Sequence, residues 1–265
     1  VDRHGLHRPV ILAVALAATG AGLAAAWPVF SVLCVSAMMT GCAAALASIA
    51  LQRHVGRVAS DPTQLRQLFS WLSIAPAVSN FVGPLIAGVL IDHGGFRAAF
   101  LAMALLPLGT WAFVRGIRHL PCADPASAGR PAAAWDLLRD PDFRRLMVVN
   151  WLVASCWDVH TLVVPVLGHE RGLSASVIGS ILGAFAIAAA ALRLVLPFLA
   201  ARVPEWAAIM VSMGASALLF AVYPLVQSPW AMGLCSVLLG FALGAVQPMV
   251  MSSMHQITPA HRLGE

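Results

Sequence analysis

The sequence predicts an all-α membrane protein, a polytopic bundle of eight transmembrane helices, on three observations. Of its 265 residues 60% are hydrophobic and only 10% charged, with a mean hydropathy of +0.85, whereas a soluble domain carries about 25% charge. Apolar runs of roughly 18 or more residues recur along the whole chain, each long enough to cross a hydrocarbon core about 30 Å thick. Gly, Ala and Pro are frequent inside these runs and weak at strand alternation, so helices, which satisfy their own backbone, suit lipid better than an outer-membrane barrel.

The spans fall at approximately 9–27, 28–51, 70–91, 98–116, 145–167, 174–199, 206–224 and 229–254. Span one follows the charged opening "VDRHGLHRP", and span two runs on to a basic loop. Span three contains "FVGPLIAGVL" (81–90), with Gly83, Pro84 and Gly88 in mid-run; "GGFRAAF" (94–100) leads into span four. After it comes the one long polar stretch, "IRHLPCADPASAGRPAAAWDLLRDPDFRR", which divides the chain into an N-terminal half-bundle (1–116), a cytoplasmic central loop (117–144) and a C-terminal half-bundle (145–265). Its second part reads as a surface helix with Trp135 and Leu138 toward lipid. Span five holds "NWLVASCWDVHTLVVP", span six ends on "LRLVLPFLAAR", and spans seven and eight complete the set, the last with Gln247 beside Pro248.

The arginines sort by loop. Arg3, Arg8, Arg53, Arg57, Arg66, Arg115, Arg118, Arg130, Arg139, Arg144, Arg145, Arg202 and Arg262 fall on one side, and only Arg97 and Arg171 on the other. The positive-inside rule puts both ends of this chain and the long loop in the cytoplasm of a multi-pass inner-membrane protein. The net charge of +5 thus reflects topology, and no nucleic-acid partner is expected. Cys34, Cys42, Cys156 and Cys235 lie inside spans and Cys122 in a cytoplasmic loop, so no disulfide framework is expected. No metal-ligand spacing and no cofactor motif is visible, and the ten methionines are scattered.

A weak internal repeat relates the halves. Arg3 and Arg202, and Gly41 and Gly240, stand the same 199 residues apart (202 − 3 and 240 − 41). Each half thus places an arginine before a span and a glycine in the following one.

The strongest intramembrane candidate is Asp158, about halfway along span five and flanked by Trp157 and His160. A carboxylate at that depth costs about 2.5–3.5 kcal/mol on insertion scales, so it is expected to face an interior cavity and to bind a proton or other ion coupled to a small-molecule substrate. Asn150 shares its helical face, positions 150, 154 and 158 being four apart, and Trp151 and Trp157 stand at another angle. The structural alternative is an Asp hydrogen-bonded to a neighbouring helix. Asn80 and Gln247 are further candidates for the path, with helix-to-helix hydrogen bonding as their alternative role; His255 stands near a cytoplasmic end. Arg193, also near a cytoplasmic end, is read as snorkelling or latching.

Enzyme signatures are missing: there is no H-E-x-x-H, no G-x-S-x-G, no phosphate loop, and no lysine. Energy for transport would come from a gradient, and the chain is read as not an enzyme.

The chain resembles the major facilitator superfamily. "VDRHGLHRP" is similar to the family's loop G-x-L-x-D-R-x-G-R-[KR], with Asp2, Arg3 and Gly5 matching and Arg8 arriving late. "SNFVGPLIAG" resembles its fifth-helix motif G-x-x-x-G-P-x-x-G-G, associated with antiporters, through Gly83, Pro84 and Gly88, with Ser79 and Ala87 in place of glycines. "GGFRAAF" and "TPAHRLGE" resemble the approaches to the sixth and eleventh helices, and "LRLVLPFLAAR" the second copy of the loop motif, with Arg193 and Arg202 matching but Ala201 and Pro197 departing. The resemblance implies two pseudo-symmetric half-bundles rocking about a midplane site, a fragment covering the third to tenth of twelve helices, and a monomer. Asp2, Arg3, Gly5, Arg8, Arg193 and Arg202 inherit a cytoplasmic latch role, and Gly83, Pro84 and Gly88 a pliable hinge where small residues admit a neighbour closely. The family's proton-linked R-x-x-Q-G has Ala37 and Thr40 for its Arg and Gln, so coupling through that arginine is absent. Proton-coupled efflux of drug-like or organic compounds is the expected activity. The competing readings are a membrane-embedded lipid-modifying transferase using His160 and Asp158, and a non-transporting structural paralogue or fragment.

Overall fold

The computed structural model describes residues 7–58, 62–116, 141–199 and 205–257. Among these it contains α1 (His7–Ala26), α2 (Phe30–Val58), α3 (Pro62–Val114), α4 (Pro141–Glu170), α5 (Ala175–Leu199), α6 (Glu205–Val222), a 3-10 turn Tyr223–Leu225 and α7 (Pro229–Ile257), and no strand. Among the described residues, six apolar helical stretches are long enough to cross a membrane: His7–Ala26, Phe30–Gln52, Ala75–Val114, Phe143–Glu170, Ala175–Val195 and Trp206–Leu225. A shorter one, Pro229–Gly244, lies in α7. The described residues are thus all-helical outside their turns, and the chain is a multi-pass membrane protein. Trp135, Leu138 and the rest of 117–140 lie outside the described residues.

The expectation of eight separate spans meets a difference at α3, which takes in both 70–91 and 98–116. Its 40-residue apolar run would extend about 60 Å at 1.5 Å per residue, twice a hydrocarbon core. Gly95 interrupts it with φ 73° and ψ 176°, a region essentially reserved for glycine. Pro84, by contrast, stays within the helical run, so the break in α3 stands eleven residues beyond the proline. Replacing Gly95 by Ala is expected to destabilise the protein by about 1–3 kcal/mol. Thermal melting of the detergent-purified protein reads this directly. Gly109→Ala, with open space around a helical glycine of the same element, is the control expected to melt no lower than wild type.

The contacts divide the chain into two compact units. The first comprises Val1–Pro76 and Val89–Ala128. Here α1 lies on α2 through small residues: Ala13, Ala21 and Ala24 are buried, and a Cβ on Gly20 would meet Met39 and the Ser36 carbonyl at 3.0 and 3.2 Å. Lipid tails are as apolar as leucine, so such close van der Waals contact is what holds membrane helices together. Val10, Val14 and Ala50 form a small core against Trp111 and Val114, with the Arg115 guanidinium 3.6 Å from the Trp111 ring centre.

The second unit comprises Ala77–Gly88 and Gly129–Glu265, so the middle of α3 belongs to it. Its centre is the pair α5 and α7. Gly240 and Gly244 of α7 press on the backbone of α5 at Phe185 and Ala189. Val153, Phe185, Ile209, Leu239, Leu243 and Val246 make one core; Val164, Ile181, Tyr223, Met232 and Cys235 make a second. At the end of α4, Gly172 (φ 70°) reverses the chain, its N–H donating to the His169 carbonyl and that of Leu173 to the Gly168 carbonyl, a double closure that only a left-handed residue permits without strain.

The repeat offset has a structural counterpart. Helices α2 and α7 are each 29 residues long, and both ends differ by 199 (229 − 30 and 257 − 58). Each packs against the helix before it, α2 on α1 and α7 on α6.

Candidate functional site

Two faces of α4 set the site. Val153, His160, Val164 and Gly168 are buried at spacings of seven, four and four, while Trp151, Ala154, Asp158 and Leu162 form an exposed stripe opposite them. Asp158 stands 17 residues from the start of α4 and 12 from its end (158 − 141 and 170 − 158), and its backbone carbonyl accepts a hydrogen bond from the Thr161 hydroxyl at 2.9 Å. At 100° per residue, two positions place Asp158 and His160 on opposite sides of the helix. The acid and base that a membrane transferase would need side by side are thus apart in this structure.

On the buried face lies a polar chain. His160 Nε2 is 3.1 Å from Ser236 Oγ, Ser236 Oγ is 2.9 Å from the Tyr223 hydroxyl, and that hydroxyl donates to the Met232 carbonyl at 3.4 Å. The three residues are 1%, 0% and 2% exposed, so their pairing is not optional: an unsatisfied buried group costs about 1–3 kcal/mol. His160 Nδ1 meets no partner among the described residues. A proton there would be an orphaned donor, so the imidazole is assigned as the Nε2–H tautomer. Donation then runs one way, from His160 to Ser236, from Ser236 to Tyr223, and from Tyr223 to the α7 backbone. Phe185 of α5 stacks on the imidazole, ring centres 4.2 Å apart, and Trp157 meets Phe185 edge-on at 4.6 Å. The Arg193 guanidinium lies 5.6 Å from the Trp157 ring centre.

The middle of α3 meets α5 glycine to backbone. A Cβ added to Gly88 would strike the Ala175 carbonyl, one on Gly179 the Pro84 carbonyl, and one on Gly183 the Phe81 ring. Gly179-x-x-x-Gly183 and Gly240-x-x-x-Gly244 put pairs of glycines on one helical face, the arrangement that lets backbones approach.

The expected site residues therefore scatter. Trp157 and His160 come together on Phe185, Arg193 lies by Trp157, and Asn150 is half-buried. Asp158, Asn80 and Arg8 are exposed. Pro84 and Gly88 lie against α5, while Gly83 faces open space. Gln247 belongs to α7, but its side chain, like Asp2, Arg3, Gly5 and Arg202, lies outside the described residues. Sequence reading passed over Ser236, Tyr223, Phe185, Gly179 and Gly183; the two G-x-x-x-G runs were the available signal.

Apolar helices long enough to cross a membrane repeatedly, joined through glycine contacts, define a polytopic membrane protein. The sequence profile of the Major Facilitator Superfamily matches residues 1–265, and the chain belongs to that family. A comparison with curated proteins finds no match.

Proposed function

We propose that this transporter performs proton-coupled efflux of drug-like or organic compounds by alternating access, as a monomer in the inner membrane with both ends of this chain cytoplasmic. On this reading the chain supplies eight transmembrane helices, with α3 contributing two on either side of Gly95. Two half-bundles, 1–116 and 145–265, rock about a midplane site, and no cofactor or nucleic acid takes part. The observation that carries the proposal is Asp158, an exposed carboxylate near the middle of an apolar helix. Intramembrane ionisable groups are costly and mark ion or substrate paths, and among the described residues no cation pairs with this one. The glycine contacts of Gly88, Gly179 and Gly183 support the motion, since close, smooth backbone contact allows two helices to shift without side chains interlocking.

The test is flux in vesicles reconstituted with the full-length gene product. A panel of drug-like amines, sugars and organic acids is offered under an imposed pH gradient. Uphill movement of at least one compound that stops when a protonophore collapses the gradient is the expected result. Equal flux with and without the gradient would sink the coupling.

A further inference from the structure

We propose that His160, Ser236 and Tyr223 are positioning residues for Asp158, fixing the rotation of α4 about its own axis so that the carboxylate faces outward from the C-terminal unit. The inference rests on the reading of Asp158 as the coupling group. In lipid the apolar contacts of a helix are nearly interchangeable with lipid itself, so they fix its rotation weakly. A buried hydrogen bond is directional, and a single polar contact can specify register where apolar ones do not. The bond from His160 to Ser236 joins α4 to α7 across 76 residues of sequence, and Tyr223 ties the same hydroxyl to the 3-10 turn after α6. Phe185 closes the remaining side from α5. Because Asp158 stands two residues from His160, burying one turns the other away, and a rotation of one residue step would carry the carboxylate by about 100°.

Among the described residues, the hydrogen-bonding partners within this chain are neutral groups. From α7 come Ser236 and the thiol-bearing Cys235, from the turn Tyr223, and from α5 only the Phe185 ring. Arg171, at the end of α4, donates to the Pro224 carbonyl at 3.0 Å, and Arg193 is directed to Trp157. Cys156 and Asp158 are the titratable neighbours on α4 itself. His160 therefore acts through its neutral Nε2–H, and its role is to orient.

The experiment measures gradient-driven flux against pH in reconstituted full-length protein for Ser236→Ala, His160→Leu and His160→Gln, each also in an Asp158→Asn background. Gln carries an N–H at about the reach of the imidazole Nε2 and does not titrate. Expected are midpoints displaced by about one pH unit, the usual spread that environment imposes on a carboxylate, in Ser236→Ala and His160→Leu. His160→Gln keeps the wild-type midpoint, and no midpoint remains to move once Asp158 is Asn. If Ser236→Ala does not accumulate, Tyr223→Phe, which keeps the ring, takes its place. A uniform fall in flux with the midpoint unmoved overturns the proposal, as does His160→Gln shifting like His160→Leu. If Asp158→Asn keeps the full wild-type pH profile, the underlying reading of Asp158 fails instead, and the two failures are told apart.

Discussion

Gly240→Leu is expected to leave little folded protein. An added Cβ at this position collides with the Phe185 carbonyl and comes within 3.0 Å of the Ala188 Cβ, and leucine extends three carbons further. Backbone cannot rotate away as a side-chain tip can, so α5 and α7 must separate along the contact that also includes Gly244 and Ala189. Overpacking typically costs about 1–3 kcal/mol and more where nothing yields. Here it falls on the central pair of the unit, where lipid offers no hydrophobic driving force to restore it. Moving α5 also draws Phe185 off His160. The yield of monodisperse protein and its melting temperature in detergent report the loss. Gly233→Leu, on the same helix with nothing within 4 Å of its Cβ position, is expected to behave as wild type.

Asp158→Asn carries the largest expected functional effect. The substitution keeps size and hydrogen-bonding capacity and removes the charge, so insertion into the bilayer becomes easier and folding is unharmed. With no group left to take up and release a proton at that depth, gradient-driven flux is expected to fall to the level of empty vesicles. Asp158→Glu keeps a titrating carboxylate one methylene further out, and is expected to retain part of the flux with an altered pH profile. Vesicle transport with matched protein amounts decides it. Asn flux equal to wild type, with unchanged pH dependence, would remove Asp158 from the mechanism.

Helix positions were open to sequence reading because membrane spans announce themselves by length and apolarity, and the link at 94–100 was visible around Gly95 even though the helix bounds ran together. Gly240 surfaced through its 199-residue relation to Gly41, yet the two differ in use: Gly240 is pressed on α5 while Gly41 faces open space. A repeat marks equivalent places and does not say what packs there. Gly179 and Gly183 were readable as a pair but not as a contact, since nothing in a glycine stripe names its partner. His160 and Ser236 lie 76 residues apart, and only the antiparallel packing of α4 with α7 makes them neighbours. Periodicity placed 150, 154 and 158 on one face; which side of α4 that face occupies depends on its neighbours, and it is the side away from His160.

Tyr223 is the chain's only tyrosine, and it is enclosed with Ser236. Any optical signal specific to a phenol, such as the ultraviolet difference spectrum of tyrosine against tyrosinate or a phenol band in resonance Raman, therefore originates from this one buried position. The eight tryptophans spread their emission over the whole chain, but the phenol is a built-in, single-site reporter. Changes around the hydroxyl chain during a transport cycle become observable without attaching a label.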